Sequence, residues 1–385
     1  MLFGPDPPPW LWPRAAYVHV PFCAQHCGYC DFAVAAGQDY LIDLYLEALG
    51  DELARLDGPA AVDTVFIGGG TPTHLSPRQL ERLLALVNSQ LPLRRDGEFS
   101  VEANPDGLTP EKVVVLADHG VNRVSLGVQS FHEEFLSRLD RGHGPEHVQP
   151  AVERIRARID NVSLDLIFAV PGQTPGEWDA DLTAALRLEP NHISTYGLTY
   201  EKGTPLWKRR ERGEVRAVSE DDELAMYVGA MDRLSAAGFE QYEVSNFARP
   251  GRRCRHNETY WANEAYFGFG VGAARFVMGR REVNCRNTED YIRRVLAGES
   301  PTFQSEQLSP EDSARETAAV QLRRSAGVIR SRFREQTGFE FDELTRGRAE
   351  PLVAEGLFES DGAAVRLSQR GRCVADALVV KVIWG

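Results

Sequence analysis

Six β-rich runs alternate with amphipathic stretches across the first half of this chain, and that alternation is what most limits how it can fold. The runs are Ala16–Val20, Thr64–Ile67, Glu98–Ala103, Arg123–Val128, Val162–Phe168 and His192–Leu198. Between them the spacing predicts helices over Tyr40–Leu56, Pro77–Val87 and Pro175–Leu188, several opened by Ser, Thr or Pro as helix starts should be. Strands separated in this way pair in parallel. Six units fall short of the eight that close a complete barrel, so the expected fold class is α/β, a partial (β/α)6 barrel with a wide lateral mouth. Each run ends in a polar tail: PFCAQHC, GGGTPT, NPDG, QSF, PGQT and TYEKGTP. In such a barrel all six tails meet at the C-terminal face, where the chemistry is expected.

At 385 residues the chain has room for two or three folding units, and 43% hydrophobic with 26% charged residues is ordinary globular usage. No apolar run approaches the eighteen residues of a membrane span, and Met1–Arg14 is proline-rich without the pattern of a secretory signal. The expected location is the cytoplasm. The formal charge of -13 opposes attraction to phosphate backbones, so nucleic acid is not an expected partner. The reading divides the chain into a leader (1–15), the barrel (16–285) and a C-terminal helical unit (286–385). In the last, helices are expected over Pro310–Arg324, Val328–Gln336 and Phe341–Glu355. A hairpin follows, Leu357–Ser360 with Ala364–Leu367 around Asp361-Gly362, and then a final helix. Helices plus one hairpin resemble a winged helix. From Pro301 onward 12 Lys or Arg stand against 13 Asp or Glu, a balance that suits packing or partner docking better than DNA reading.

Six cysteines are too few for a disulfide scaffold in a chain of this length. Cys23, Cys27 and Cys30 fall within eight residues, directly after the first strand, while Cys254, Cys285 and Cys373 are scattered. Thiolates so close on one loop can converge on a metal centre. Structural zinc would need a fourth ligand, and His26, between two of the cysteines, makes a strained one. A [4Fe-4S] cluster held by three cysteines instead leaves one iron open to an exchangeable ligand.

The Cys-x3-Cys-x2-Cys loop after a first strand resembles the radical S-adenosylmethionine (SAM) superfamily, in which the open iron chelates the amino and carboxylate groups of SAM. The stretches Tyr17-Val-His-Val-Pro-Phe-Cys23, Gly68-Gly-Gly-Thr-Pro72, Ser125-Leu-Gly-Val-Gln129-Ser, Asp165-Leu-Ile-Phe-Ala-Val-Pro-Gly and Tyr242-Glu-Val-Ser-Asn-Phe-Ala are similar to its coproporphyrinogen dehydrogenase and HemW branch. The resemblance runs from about Tyr17 to the C-terminus. It implies the partial TIM-like barrel of the radical SAM type, with a [4Fe-4S] cluster and SAM as cofactors. It also implies SAM contacts at Tyr17, Tyr29, Gly69, Gly70, Thr71, Glu102, Gln129, Arg141, Asp165, Thr199 and Ala274. These types suit the cofactor. Arg141 would fork onto the carboxylate, Glu102 and Asp165 would take ribose hydroxyls or the cationic end, Gln129 would bond the ribose, and Tyr29 would lie against adenine. Read without the resemblance, Gly68–Gly70 is also a plain tight turn, Glu102 and Asp165 are also caps or ion-pair partners, and His19 is a satisfied polar core residue.

Two departures separate the chain from the decarboxylating enzyme of that branch. Phe32 stands where that enzyme has a fourth cysteine, and only sixteen residues precede Tyr17 where it carries a longer extension. Both favour the HemW family of haem chaperones over oxygen-independent coproporphyrinogen III oxidase, which stays as the alternative together with another radical SAM enzyme acting on a tetrapyrrole. His256-Asn257-Glu258-Thr259-Tyr260-Trp261 matches the HNxxYW motif proposed for haem binding, which implies haem as cargo at His256, Asn257, Tyr260 and Trp261, with Cys254 as a further ligand. Tyr266, Phe267 and Phe269 add flat apolar surface, and Gly268, Gly270 and Gly272 read as backbone close to a flat ligand or as a turn. The equally open plain reading is a histidine that caps backbone groups among packed aromatics. The partners implied are acceptor haem proteins, respiratory enzymes at the inner membrane face among them, and an electron donor for the cluster. No decarboxylase activity is expected.

Overall fold

A computed structural model describes residues 7–385. All six expected runs are strands: β1 (Ala15–Val20), β2 (Val62–Gly69), β3 (Leu93–Ala103), β4 (Arg123–Gln129), β5 (Asn161–Phe168) and β6 (His192–Gly197). They lie side by side in that order, all parallel. The helices between them start as the sequence dictates. Ser76 with Gln79, and Thr174 with Glu177, form capping boxes, and Pro77 and Pro175 take the first helical turn, where a missing N–H costs nothing.

Side chains alternate across each strand. One set, including Val18, Val65, Ile67, Val101, Val124, Leu126, Leu164 and Ile193, is buried in the main core. The other set is polar: Tyr17 and His19 on β1, Glu102 on β3, Ser125 on β4, Asp165 on β5 and Ser194 on β6. The sheet therefore has an oily outside under the helices and a hydrogen-bonding inside.

A seventh parallel strand, Tyr266–Gly270, pairs with the other edge of β1, with Gly268 opposite Tyr17. The expectation of an aromatic, glycine-rich surface for a flat ligand is thus corrected. Phe267 and Phe269 are buried in the core, and a Cβ at Gly268 would collide with the carbonyl of Ala274 on the returning strand Ala274–Val277. Gly268 and Gly270 make room for neighbouring backbone, while a Cβ at Gly272 would meet the Ala33 side chain. Two more antiparallel strands, Arg280–Asn284 and Thr302–Gln307, extend this side, and Asn246–Ala248 lies antiparallel beyond β6. The sheet remains an open arc.

Thr302–Gln307 pairs onto Arg280–Asn284 at the edge of the large sheet. The helix Thr288–Leu296 buries Tyr291, Ile292 and Val295 in the main core, and a separate core begins at Ala314. Buried Glu52 ties this region down, accepting from Gly270 N at 2.7 Å, Asn284 Nδ2 at 2.8 Å and Tyr291 Oη at 2.6 Å. In the second unit the hairpin forms as read, Phe358–Ser360 with Ala364–Leu367. Val328–Ile329 pairs onto it as a strand before the helix Arg330–Thr337, and the expected helix Phe341–Glu355 breaks at Arg346-Gly347, both at positive φ. The unit touches both sides of the arc: Gln321 and Gln336 donate to the carbonyls of Ala262 and Asn263, and Ser325 N donates to Tyr242 O at 3.0 Å. In the leader, Pro9 O and Leu11 O accept from the amides of Ala265 and Met278. No helix among the described residues is long and apolar enough to cross a membrane.

Candidate functional site at the strand ends

The chain leaves β1 into the cysteine loop, whose shape is set by backbone bonds. Cys30 N donates to Cys27 O, Gly28 N to Leu139 O at 3.0 Å, and Leu206 N to Gly28 O at 2.8 Å. Cys23, Cys27 and Cys30 are all half-buried free thiols. Burial pushes the Cys23 thiol up to about 11 and raises that of Cys30. His26 is exposed and bonds the Cys30 carbonyl at 3.0 Å, an arrangement that does not make it a fourth ligand. Among the described residues no three His, Cys, Asp or Glu side chains converge on a single-ion position.

A chain of contacts runs from these thiols into the barrel. Cys23 Sγ lies 3.5 Å from Thr71 Oγ1, Thr71 accepts from Asn104 Nδ2 at 3.2 Å, and Asn104 Oδ1 accepts from Arg141 at 2.7 Å. Arg141 reaches Cys27 Sγ at 3.4 Å and Gly127 O at 2.9 Å, while its buried Nε has no partner. Gln129 ends β4 at φ +67°, a strained conformation held where the strand register shifts. Gly69, at φ +105°, donates to Glu102 at 3.0 Å, and a Cβ there would run into the His19 ring. Burial, then the charge of Asp165, lifts Glu102 to about 7. Asp165 accepts from Ser125 at 2.9 Å and Ser194 at 2.7 Å, and burial raises its pKa too. Tyr17 Oη meets His19 Nδ1 at 3.0 Å, and His19 Nε2 meets Ala33 O at 2.8 Å, so His19 is the satisfied core residue of the plain reading. Tyr29 packs with Phe135, Leu139, Ile167 and Val170. Thr199 is exposed beyond β6, and Ala274 sits on the hairpin strand next to the seventh parallel strand.

The HNETYW segment lies elsewhere. Its helix, Arg255–Trp261, meets residues at the beginnings of the strands, the end opposite the thiols. His256 is 1% exposed, with Nδ1 3.0 Å from Thr64 Oγ1 and Nε2 2.8 Å from Tyr260 Oη, and its ring stacks on Phe66. Burial holds the imidazole down at about 3. Cys254 is fully buried, its Sγ 3.5 Å from Glu98, and Glu98 also accepts from the amides of Arg255 and His256. Asn257 is half-buried, and Trp261 lies under the Arg323 guanidinium. In this conformation His256 and Cys254 are engaged with Thr64, Tyr260 and Glu98, and their helix packs at the strand beginnings rather than at the C-terminal face.

Residues 17–185 match the radical SAM superfamily model and residues 308–374 the HemN C-terminal domain model. The chain is 38% identical to the heme chaperone HemW of Bacillus subtilis over 368 residues, covering 94% of this chain and 97% of that one. It belongs to the HemW family of radical SAM proteins. It is also 33% identical to the mitochondrial radical S-adenosyl methionine domain-containing protein 1 of Bos taurus, over 99% of this chain and 90% of that one. The fold matches that of coproporphyrinogen III oxidase (HemN) from Escherichia coli, a radical SAM enzyme, with a TM-score of 0.84 at 22% identity, covering 98% and 91% of the two chains.

Membership of the superfamily implies a [4Fe-4S] cluster and SAM, and the residues fit both. Three half-buried thiols share one loop with a buried, partly unpartnered guanidinium against it, and acid, amide and hydroxyl groups line the strand ends beyond. The sequence reading overlooked the parts that position them: Asn104 between Arg141 and Thr71, Ser125 and Ser194 on Asp165, and Glu98 on the plugging helix. Asn104 opens the polar tail NPDG, and the two serines alternate with core residues along their strands, so each carried a signal.

Proposed function

We propose that this protein is a haem chaperone: it binds haem and passes it to acceptor haem proteins while carrying a SAM-bound [4Fe-4S] cluster. The near full-length identity to HemW carries this reading. Cys23, Cys27 and Cys30 would hold the cluster, which supplies an open iron for SAM and a site for one-electron reduction. Arg141 would pair the SAM carboxylate through its free edge. The Gly69-Gly70-Thr71 turn would approach the methionine amine, with Tyr29 against adenine. Glu102, Gln129, Asp165, Tyr17, Thr199 and Ala274 would complete the contacts. Because Glu102 and Asp165 are both buried and repel each other, a cationic or hydroxyl-bearing ligand is favoured between them.

Haem is proposed to engage the helix that carries His256, Asn257, Tyr260 and Trp261, with Cys254 at its start. Coordination by His256 requires the imidazole to leave Thr64 and Tyr260, so the helix must shift before iron is bound. Acceptors would include respiratory enzymes at the inner membrane face, approached peripherally from the cytoplasm.

The test is a spectral haem titration of wild type, Tyr260→Phe and His256→Gln, with transfer to an apo-haem protein followed in the same samples. If His256 is the ligand, freeing its Nε2 in Tyr260→Phe tightens binding about fivefold, since one hydrogen bond is worth about 1 kcal/mol. Equal affinity in all three variants removes His256 from the site. The HemN-like fold favours a second reading, oxidative decarboxylation of coproporphyrinogen. Decarboxylated product from reduced protein, SAM and coproporphyrinogen would replace the chaperone by the enzyme.

A further inference from the structure

A cleft of about 410 Å³ opens beside the cysteine loop, lined by Arg138, Arg209, Arg216, Leu206, Pro171 and Val215 among others. Its floor belongs to the basic helix Pro205–Glu211, whose first turn is bonded to the loop through Leu206 N and Gly28 O. The Asp140–Arg209 ion pair lies directly on Gly28, where an added Cβ would strike it. Gly28 follows Cys27, so this wall stands one residue from a cluster ligand. From Tyr200 to Ala217 the chain carries six Lys or Arg against three Glu, although the whole protein has a formal charge of -13.

The cations of this region divide into two kinds. Arg138 bonds Pro171 O and Glu134, Arg209 pairs with Asp140, and Arg212 pairs with Glu214. Lys208 and Arg216 are exposed and form no ion pair among the described residues, and Arg210 only stacks on the Tyr200 ring. Arg216 lines the cleft together with Glu214, while Lys208 and Arg210 are exposed on the adjoining helix, and dispersed free cations of this kind suit a surface of spaced carboxylates. A small anion would instead need donors converging on one point, and the converging arginines are already paired.

We propose that this cleft and its cationic rim are the docking surface for an acidic protein electron carrier that reduces the cluster, an inference that rests on the cluster proposed above. The net charge of -13 opposes the approach of an acidic carrier overall, so a local positive field beside the cysteines favours encounter at the loop. In the step itself the carrier gives up one electron and is oxidised by one. A [4Fe-4S] cluster held by Cys23, Cys27 and Cys30 would accept that one electron, with no bond or proton moved.

The test uses cluster-reconstituted protein with iron and sulfide contents verified, a reduced flavodoxin as the acidic carrier, and reduced methyl viologen as a cationic control. In stopped flow, Lys208→Glu with Arg216→Glu should slow reduction by flavodoxin at least about tenfold at low salt and leave the viologen rate no slower. Wild-type reduction by flavodoxin should fall steeply with ionic strength. Anisotropy of labelled flavodoxin, read with cluster-free protein, should show the same loss of binding in the double variant. Wild-type rates and binding in the double variant, or flavodoxin binding unaffected by salt, overturn the proposal. So does competition in which inorganic pyrophosphate occupies the cleft without altering carrier binding. Failure of the cluster to assemble, by contrast, strikes the functional reading before this one is reached.

Discussion

His256→Ala is the substitution whose outcome the structure fixes most tightly. The ring is 1% exposed and bonded at both nitrogens. Its loss leaves the Thr64 and Tyr260 hydroxyls unpaired in the interior, at about 1–3 kcal/mol each. Removing the imidazole from between Phe66 and Tyr260 opens a cavity worth about 2–5 kcal/mol. Because the cavity partly relaxes and the terms overlap, about 4–6 kcal/mol is expected, a large share of the roughly 5–15 kcal/mol that holds a domain folded. At about 2–4 °C per kcal/mol, the melting temperature should fall by more than about 8 °C. Tyr260→Phe, which removes no volume and leaves only His256 Nε2 unpaired, should fall by less than His256→Ala does. Thermal melts of cluster-free protein measure both. If His256→Ala melts within about 2 °C of wild type, the histidine is not a structural plug and the geometry argued above is wrong.

Acid sensitivity follows from the same burial. His19 and His143 are held near 4 and His256 near 3, all below the ordinary 6.5, so the unfolded chain binds protons that the folded one refuses. Stability should be fully present above pH 6.5 and decline from there toward pH 4, which urea midpoints across that range would reveal as a slope or its absence. Glu102, raised to about 7, works the other way between pH 4.5 and 7, and Glu102→Gln should steepen the acid loss in that window. Glu52→Ala should cost at least about 3 kcal/mol, because Gly270 N, Asn284 and Tyr291 lose their shared acceptor; a midpoint shift under about 1 kcal/mol would deny that this carboxylate anchors the seventh parallel strand. Cys27→Ser should abolish acid-labile sulfide after reconstitution without changing far-ultraviolet circular dichroism, and retained sulfide would dismiss the loop as the cluster site.

The six parallel strands were legible because their outward faces repeat β-branched and aliphatic residues and their ends carry glycine, proline and asparagine. The seventh was not. In Tyr266-Phe-Gly-Phe-Gly270 the alternate glycines look like a turn, and only the collision awaiting a side chain at Gly268 explains why a strand needs them. The cysteine loop was legible from spacing alone, and the Arg141 contact to Cys27 completes it with a residue more than a hundred positions away. The motif at His256 was legible as a motif but not as a place. Nothing local in HNETYW tells which mouth of a barrel it faces; Glu98, from a distant strand, decides that by gathering the helix's first amides. The bond from Tyr291 back to Glu52 was hidden for a similar reason, since 239 positions separate the two.

A ring of strands has a circumference dictated by its own pairing, whereas an arc with two loose ends has none. Here the loose ends are bridged by another body: the C-terminal unit grips Ala262 and Asn263 on one flank and Tyr242 on the other. It acts as a strut across a spring clip. Any protein that pulls on that strut would change the gape of the clip without breaking a single bond between the parallel strands.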